Sequence, residues 1–234
     1  MAKQVHFWSR PWALVARRHP SAFLLAAQLL SLLIYPLMDD TTSGRLLFGA
    51  VALVVVPLAV WVVNRSPSVH GIAWLLAIPA MIGTVVGVLF EHEWVLPWSA
   101  LLESALYFYA AGSLISYMLH DHEVTADELF AAGATFTLLA WGFAYAYFAC
   151  QAIYPGSFVG IEDPERPRRW LELLFLSFTA LSGVGIGDIL PLSSPARVLV
   201  MLEEFAGVGY IATVVGRLIG LTVVRYKNKG PRSR

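Results

Sequence analysis

Ser177-Phe-Thr-Ala-Leu-Ser-Gly-Val-Gly-Ile-Gly-Asp188 is the stretch that decides how this chain folds. Glycine falls at 183, 185 and 187, and the residues between, Val184 and Ile186, are apolar. Successive carbonyls point one way only if residues alternate between left- and right-handed backbone regions, and glycine enters the left-handed region without a Cβ clash. The pattern predicts a loop that turns its oxygens toward one axis and packs Val184 and Ile186 outward. That is what an ion-selectivity filter needs in order to replace an ion's water shell.

The apolar run ahead of the loop, Trp170 to Leu181, covers about 18 Å as a helix at ~1.5 Å per residue, too short to cross a bilayer. It reads as a re-entrant half-helix whose carboxyl end aims roughly half an electron of negative charge at the loop. Irregular backbone at membrane depth is tolerated where it lines a cavity or is buried in protein. A plain glycine-rich turn between two membrane helices would leave the short helix, the alternating glycines, Asp188 and the long apolar run that follows as coincidences. A phosphate-cradling loop would end in Gly-Lys-Ser/Thr, which is not present here.

Residues 178–188, followed by Pro191, resemble the pore signature of the tetrameric potassium channels, T-x-x-T-V-G-Y-G-D, and the likeness extends over roughly residues 129 to 224. The resemblance implies that the carbonyls of Gly183, Val184, Gly185, Ile186 and Gly187 bind potassium and that Asp188 stands at the outer mouth. It also implies that Gly207, nineteen residues past Asp188, is the hinge of the inner helix. Two positions depart from the family. Gly183 replaces a threonine whose hydroxyl completes the innermost ion site, and Ile186 replaces a tyrosine that braces the loop against aromatic residues of the pore helix, positions held here by Phe175 and Leu176.

Composition points the same way. The 234 residues are 58% hydrophobic and 14% charged, with a mean hydropathy of +0.66, against about 25% charged in soluble domains. The lone cysteine, Cys150, sits in an apolar run, so no intrachain disulfide forms. The expected fold is an all-α membrane protein with six transmembrane helices and a re-entrant pore helix and filter loop between the fifth and sixth. The apolar segments run at about 21–38, 46–63 with Pro57, 71–90 with Pro79, 96–119, 129–153 and 196–224, each near the ~20 residues a bilayer requires. Four regions follow: an interfacial arm (1–20), a four-helix scaffold (21–120), a pore domain (121–225) and a basic tail (226–234). The arm mixes Lys3, Arg10, Arg17 and Arg18 with Phe7, Trp8, Trp12 and Leu14, as a helix lying on a membrane does.

Lysine and arginine orient the spans, because cytoplasmic loops hold an excess of them. The arm, Arg65 and the tail residues Arg225, Lys227, Lys229, Arg232 and Arg234 share one side, while Arg45, Arg166, Arg168 and Arg169 take the other. Both termini are expected in the cytoplasm, in a multi-pass protein of the plasma membrane. A voltage sensor would carry arginines at three-residue spacing in the fourth span, and residues 96–119 contain none.

On the sixth span, Gly207, Val208, Ile211, Ala212, Val215, Gly216 and Ile219 recur at three and four. With Gly207 as hinge, that face lines an inner cavity that Val215 and Ile219 could close by dewetting; a packing stripe is the plain alternative. Glu203 and Glu204 lie at membrane depth, where carboxylates face protein or water. One is expected to support the pore helix from behind through Thr179 or Ser182, the other to meet a neighbouring subunit or scaffold helix. Glu172 is expected to pair with Arg168 or Arg169, and Arg217 to snorkel or find an acid. Thr125 to Glu128 reads as a capping box opening the fifth span. His120-Asp-His-Glu123 reads as an interfacial turn rather than a metal site.

No catalytic set emerges, since Ser182 would need a histidine base and the six histidines all fall at or beyond span ends. The chain is not expected to be an enzyme. One filter per chain calls for a closed ring of identical copies, a homotetramer. The expected function is a cation channel, most simply potassium-conducting, without steep voltage sensing. The alternatives are a non-selective or sodium-permeable cation channel and a non-conducting structural or regulatory membrane subunit. Membrane lipid is the other expected partner; no cofactor beyond permeant potassium, no nucleic acid and no soluble substrate is expected.

Overall fold

A computed structural model describes residues 19–35, 55–61, 70–89, 94–120, 125–161 and 163–228. The amino-terminal arm through residue 18, most of the second apolar segment, linker residues 121–124 and the tail from 229 lie outside the described residues.

The described helices are α1 (Pro20–Ile34), α2 (His70–Leu89), α3 (Leu96–His120), α4 (Ala126–Ile153), α5 (Trp170–Leu181), α6 (Ser194–Tyr210) and α7 (Gly216–Asn228), with a short helical piece at 55–61. A π-helical turn, Ile211–Val215, joins α6 to α7. Among the described residues, two stretches are long and apolar enough to cross a bilayer, Ala126–Ile153 and Ser194–Leu221. Unforeseen among the described residues are that π-helical turn and two three-residue strands, β1 (Phe158–Gly160) and β2 (Ile189–Pro191), paired antiparallel.

Local chemistry sets the helix ends. Thr125 caps α4 by accepting the Glu128 N–H at 3.3 Å, as the capping box predicts, and Ser193 caps α6 by accepting the Ala196 N–H at 3.3 Å. The start of α1 is capped from another helix. Asp127, in the first turn of α4, accepts the Ser21 N–H at 3.1 Å and its hydroxyl at 3.0 Å. Gln28 reaches the Ala134 carbonyl at 3.5 Å, so α1 and α4 run in the same direction.

A helix apolar on every face belongs inside, and α4 is buried along most of its length, surrounded by α1, α3, α5 and α6. Small residues let its neighbours approach: Ser104 of α3 donates to the Gly142 carbonyl at 2.8 Å, and the Phe108 ring lies over Gly142. Around them Tyr107, Trp141, Tyr145 and Trp170 interlock, with ring centroids 5.5 to 5.7 Å apart. Within α3 the carboxyl group of Glu103 is buried and accepts the Thr84 hydroxyl of α2 at 2.5 Å. By contrast α6 buries one stripe, Ala196, Glu203, Gly207 and Tyr210, and exposes Met201, Leu202, Phe205 and Val208. An apolar face of that extent is one that lipid or another protein surface covers.

Candidate functional site

The glycine loop is built onto the carboxyl end of α5. Gly183 N–H donates to the Ala180 carbonyl at 3.0 Å, while the Val184 and Gly185 N–H groups both donate to the Thr179 carbonyl at 3.1 Å. Gly183 and Gly185 adopt φ of +71° and +66°. The expected alternation therefore covers those two glycines. Gly187 lies outside the left-handed region, and the place a Cβ would take there is 3.9 Å from the Thr179 hydroxyl, an ordinary contact. From Ser182 to Asp188 the loop is exposed on its own chain, and the side chains of Val184 and Ile186 project freely.

Backbone amide groups come as a donor and an acceptor, and both must be accounted for. Three consecutive N–H groups turn back into the end of α5, which leaves the loop's carbonyl side for other ligands. Thr179 takes its place here through its backbone; its hydroxyl donates to the Leu176 carbonyl of its own helix at 2.9 Å, and Ser182 donates to the Thr179 carbonyl at 3.2 Å.

Neither hydroxyl meets Glu203, so the expected partners of that carboxyl group are corrected. Glu203 is fully buried and accepts hydrogen bonds from Ser177 of α5 and Tyr147 of α4. Ser177 also reaches the Ala140 carbonyl at 2.7 Å. Helices α4, α5 and α6 thus converge on one side chain. Ser177 precedes Ser182, the residue that caps α5, by about 1.4 helical turns, so the two point in different directions and the azimuth of α5 against α6 decides which of them Glu203 meets. Glu204, about 100° further round the helix, is exposed on its own chain.

The inner helix presents two sides. Gly207 lies on the buried stripe, against the Leu181 carbonyl, not on the face with Val208. Val208, Ile211, Ala212, Gly216 and Ile219 are exposed, and Val215 is partly packed against the core. The break from α-helical geometry falls at Ile211–Val215, four residues past Gly207. It is flanked by two anchors: the Tyr210 hydroxyl donates to the Ala132 carbonyl of α4 at 2.6 Å, and the Arg217 guanidinium donates to the Met118 carbonyl near the end of α3. Arg217 thus meets a helix carboxyl end rather than an acid.

At the start of α5 Glu172 pairs with Arg166, through bonds of 2.6 and 3.2 Å, instead of with Arg168 or Arg169. It also accepts the Arg169 N–H at 2.6 Å. Burial pushes its carboxyl group up, but the Arg166 and Arg169 bonds outweigh that and hold it below the usual carboxylate range. Asp188 is exposed at the far end of the loop, beside an open pocket lined by Leu171, Glu172, Phe175, Ile186 and Gly187.

Residues 133–223 match a family described as "Ion channel". No curated protein and no solved structure matches the chain. The matched region begins inside α4, takes in α5, the glycine loop and α6, and ends in α7. Residues 133–223 are therefore similar to an ion-channel domain, set in a chain whose described residues are mostly helical.

Proposed function

We propose that the chain forms a homotetrameric cation channel whose filter is the carbonyl row of Gly183, Val184, Gly185, Ile186 and Gly187, with potassium as the favoured ion. The observation that carries this is the loop's hydrogen bonding. The N–H groups of 183, 184 and 185 are consumed by α5 while Gly183 and Gly185 hold left-handed φ. Oxygens remain on the other side, and four chains around an axis turn them into a cage for a dehydrated cation. The carboxyl end of α5 adds its partial negative charge beneath them, and Asp188 gathers cations at the outer mouth.

In this reading α5 is re-entrant and the chain crosses the plasma membrane six times with both termini cytoplasmic. Supporting it, α4 and α6 run in opposite directions, as the Tyr147–Glu203 and Ala132–Tyr210 pairs require, and α1 runs with α4. The exposed apolar faces of α6 and of Phe175 and Ile186 are where neighbouring copies and lipid pack. The face of Ile211, Val215 and Ile219 lines the inner cavity, with bending at or just beyond Gly207. Because α3 carries no lysine or arginine, opening is not steeply voltage-dependent; steep voltage dependence in single-channel recordings overturns that part.

A sodium-permeable channel is the second reading, favoured by Gly183 at the innermost site, where no hydroxyl completes the cage. Reversal potentials of the purified chain in bilayers with potassium on one side and sodium on the other decide between them. A potential near the potassium equilibrium value supports the first, a potential near zero the second, and no current from an inserted oligomer rejects both.

A further inference from the structure

Resting on the filter reading above, we infer that the β1–β2 ribbon positions the outer end of the filter, and that Phe158 and Gly160 are positioning residues for ion selection although neither lies in the loop. The filter's inner end is fastened by the Thr179 carbonyl. Its outer half has no such fastening through side chains, since Ile186 is 67% exposed and Phe175 48%.

What holds the chain as it leaves the loop is main chain. The Ile161 N–H donates to the Asp188 carbonyl at 3.2 Å, Gly160, Val159 and Phe158 pair with Ile189, Leu190 and Pro191, and the Leu192 N–H donates to the Ser157 carbonyl at 2.8 Å. Every residue from 188 to 192 is thereby registered against 157–161. The Ser157 and Ser193 hydroxyls, 2.7 Å apart, close the base of the ribbon at the cap of α6.

The ribbon is itself fixed from below. Phe158 is buried beside Ile189 and Leu173 of the pore helix, and its ring lies 5.0 Å from that of Tyr147, the residue that donates to Glu203. Gly160 lies directly under the Arg168 guanidinium, so that a Cβ there would overlap it. Arg168 cannot readily yield. It is 4% exposed, its guanidinium donates to the Asp163 and Arg166 carbonyls, and its backbone is bonded on both sides by Gln151 at 2.9 and 2.7 Å. A methyl group at 160 therefore displaces either Arg168 or the strand that holds Asp188.

The test compares full-length wild type with Gly160→Ala, Phe158→Ala, Phe158→Leu and Val159→Ala, each first shown to keep the wild-type oligomer size. Reversal potentials in potassium/sodium gradients and amide exchange of residues 184–188 are measured. Gly160→Ala and Phe158→Ala are expected to speed exchange in that segment about tenfold, the equivalent of one lost hydrogen bond, with exchange in α4 unchanged, and to move the reversal potential toward zero where wild type is selective. Phe158→Leu restores most of both, and Val159→Ala resembles wild type. Assembled variants with wild-type exchange and wild-type reversal potential overturn the inference alone. A wild-type oligomer that passes no ions overturns the filter reading and this inference with it.

Discussion

Gly207 of the inner helix rests against the carbonyl oxygen of Leu181, the last residue of the pore helix, so closely that a side chain of even one carbon would overlap it. Backbone meets backbone, and neither helix has a flexible group to move aside. Gly207→Ala should therefore cost about 1–3 kcal/mol through overpacking, despite alanine's better helix propensity. Gly209, two residues on, has nothing within 4 Å of where its Cβ would stand. Gly209→Ala should be neutral or stabilise by up to about 1 kcal/mol. Thermal unfolding of the two variants in one detergent separates a glycine needed for close approach from one that is not.

Glu203 should respond to shape and hydrogen-bonding pattern. The Ser177 hydroxyl has one hydrogen and two acceptors in reach, Ala140 and Glu203. In Glu203→Gln the amide carbonyl can accept from Tyr147 while the amide nitrogen donates to Ser177, whose hydrogen stays with Ala140. That variant is expected to unfold within about 1 kcal/mol of wild type and to keep its oligomer. Glu203→Ala leaves the buried Tyr147 hydroxyl without its acceptor, at about 1–3 kcal/mol, while Ser177 keeps the Ala140 carbonyl. Chemical unfolding monitored by tryptophan fluorescence reads the difference, and equal losses in both variants would show that the three-helix junction does not depend on these bonds.

The glycines of the loop should not be equivalent. Alanine at Gly185 must hold φ near +66°, a strain of roughly 1–2 kcal/mol in every subunit. Alanine at Gly187 meets no such demand, and its methyl group comes only into ordinary contact with Thr179. Gly185→Ala is expected to abolish selective flux in liposomes, and Gly187→Ala to retain a measurable part of it. The reverse order would mean that the backbone requirement lies at 187.

Acid should loosen the outer edge of the pore helix. Glu172 has its pKa depressed in the folded chain, so its contribution to stability is present above the unfolded value of about 4.3 and fades as pH falls through the lower folded value. Burial, the largest single influence, pushes the other way. Arg166→Ala removes the main opposition, so the loss should begin at a higher pH. Amide exchange at residues 170–174, followed from pH 6 to pH 3, is expected to show that upward displacement.

Much of this architecture was legible in the residues, and the parts that were not share a cause. Helix α5 has the expected bounds, Trp170–Leu181, because the apolar run is bounded by Arg169 and by Ser182-Gly183. Thr125 and Glu128 announced the start of α4 by their spacing alone. Gly183 and Gly185 were readable because a left-handed backbone leaves few other choices of residue. Relations between elements were harder. Nothing in the sequence says that Phe158–Gly160 pairs with Ile189–Pro191, since three residues are too few to show a strand's alternation. Spacing along α6 says that Glu203 and Glu204 face different surroundings but does not choose Ser177 over Thr179 or Ser182. Helical spacing pointed to Arg168 and Arg169 for Glu172 and could not see Arg166 reaching back from the segment before α5. The π turn leaves no mark, because Ile211–Val215 reads as ordinary apolar helix.

That π turn sits between two unequal anchors, and the lower one is open to test. Above it, Tyr210 ties the inner helix to α4 within the pore domain; below it, Arg217 ties the helix to the carboxyl end of α3 in the scaffold. A cation at a helix carboxyl end is favoured both by the unpaired carbonyls and by the dipole. π turns are places where a helix bends or shifts register, so the half beyond the turn depends on the scaffold for its position. Arg217→Met keeps an unbranched apolar stem, though a shorter one, and removes a charged hydrogen bond worth about 1.5–3 kcal/mol. Amide exchange in residues 216–221 should rise by roughly ten- to a hundredfold, with residues 194–207 unaffected. If the two halves of the inner helix instead loosen together, the turn is not a joint, and the scaffold grips the helix as one piece.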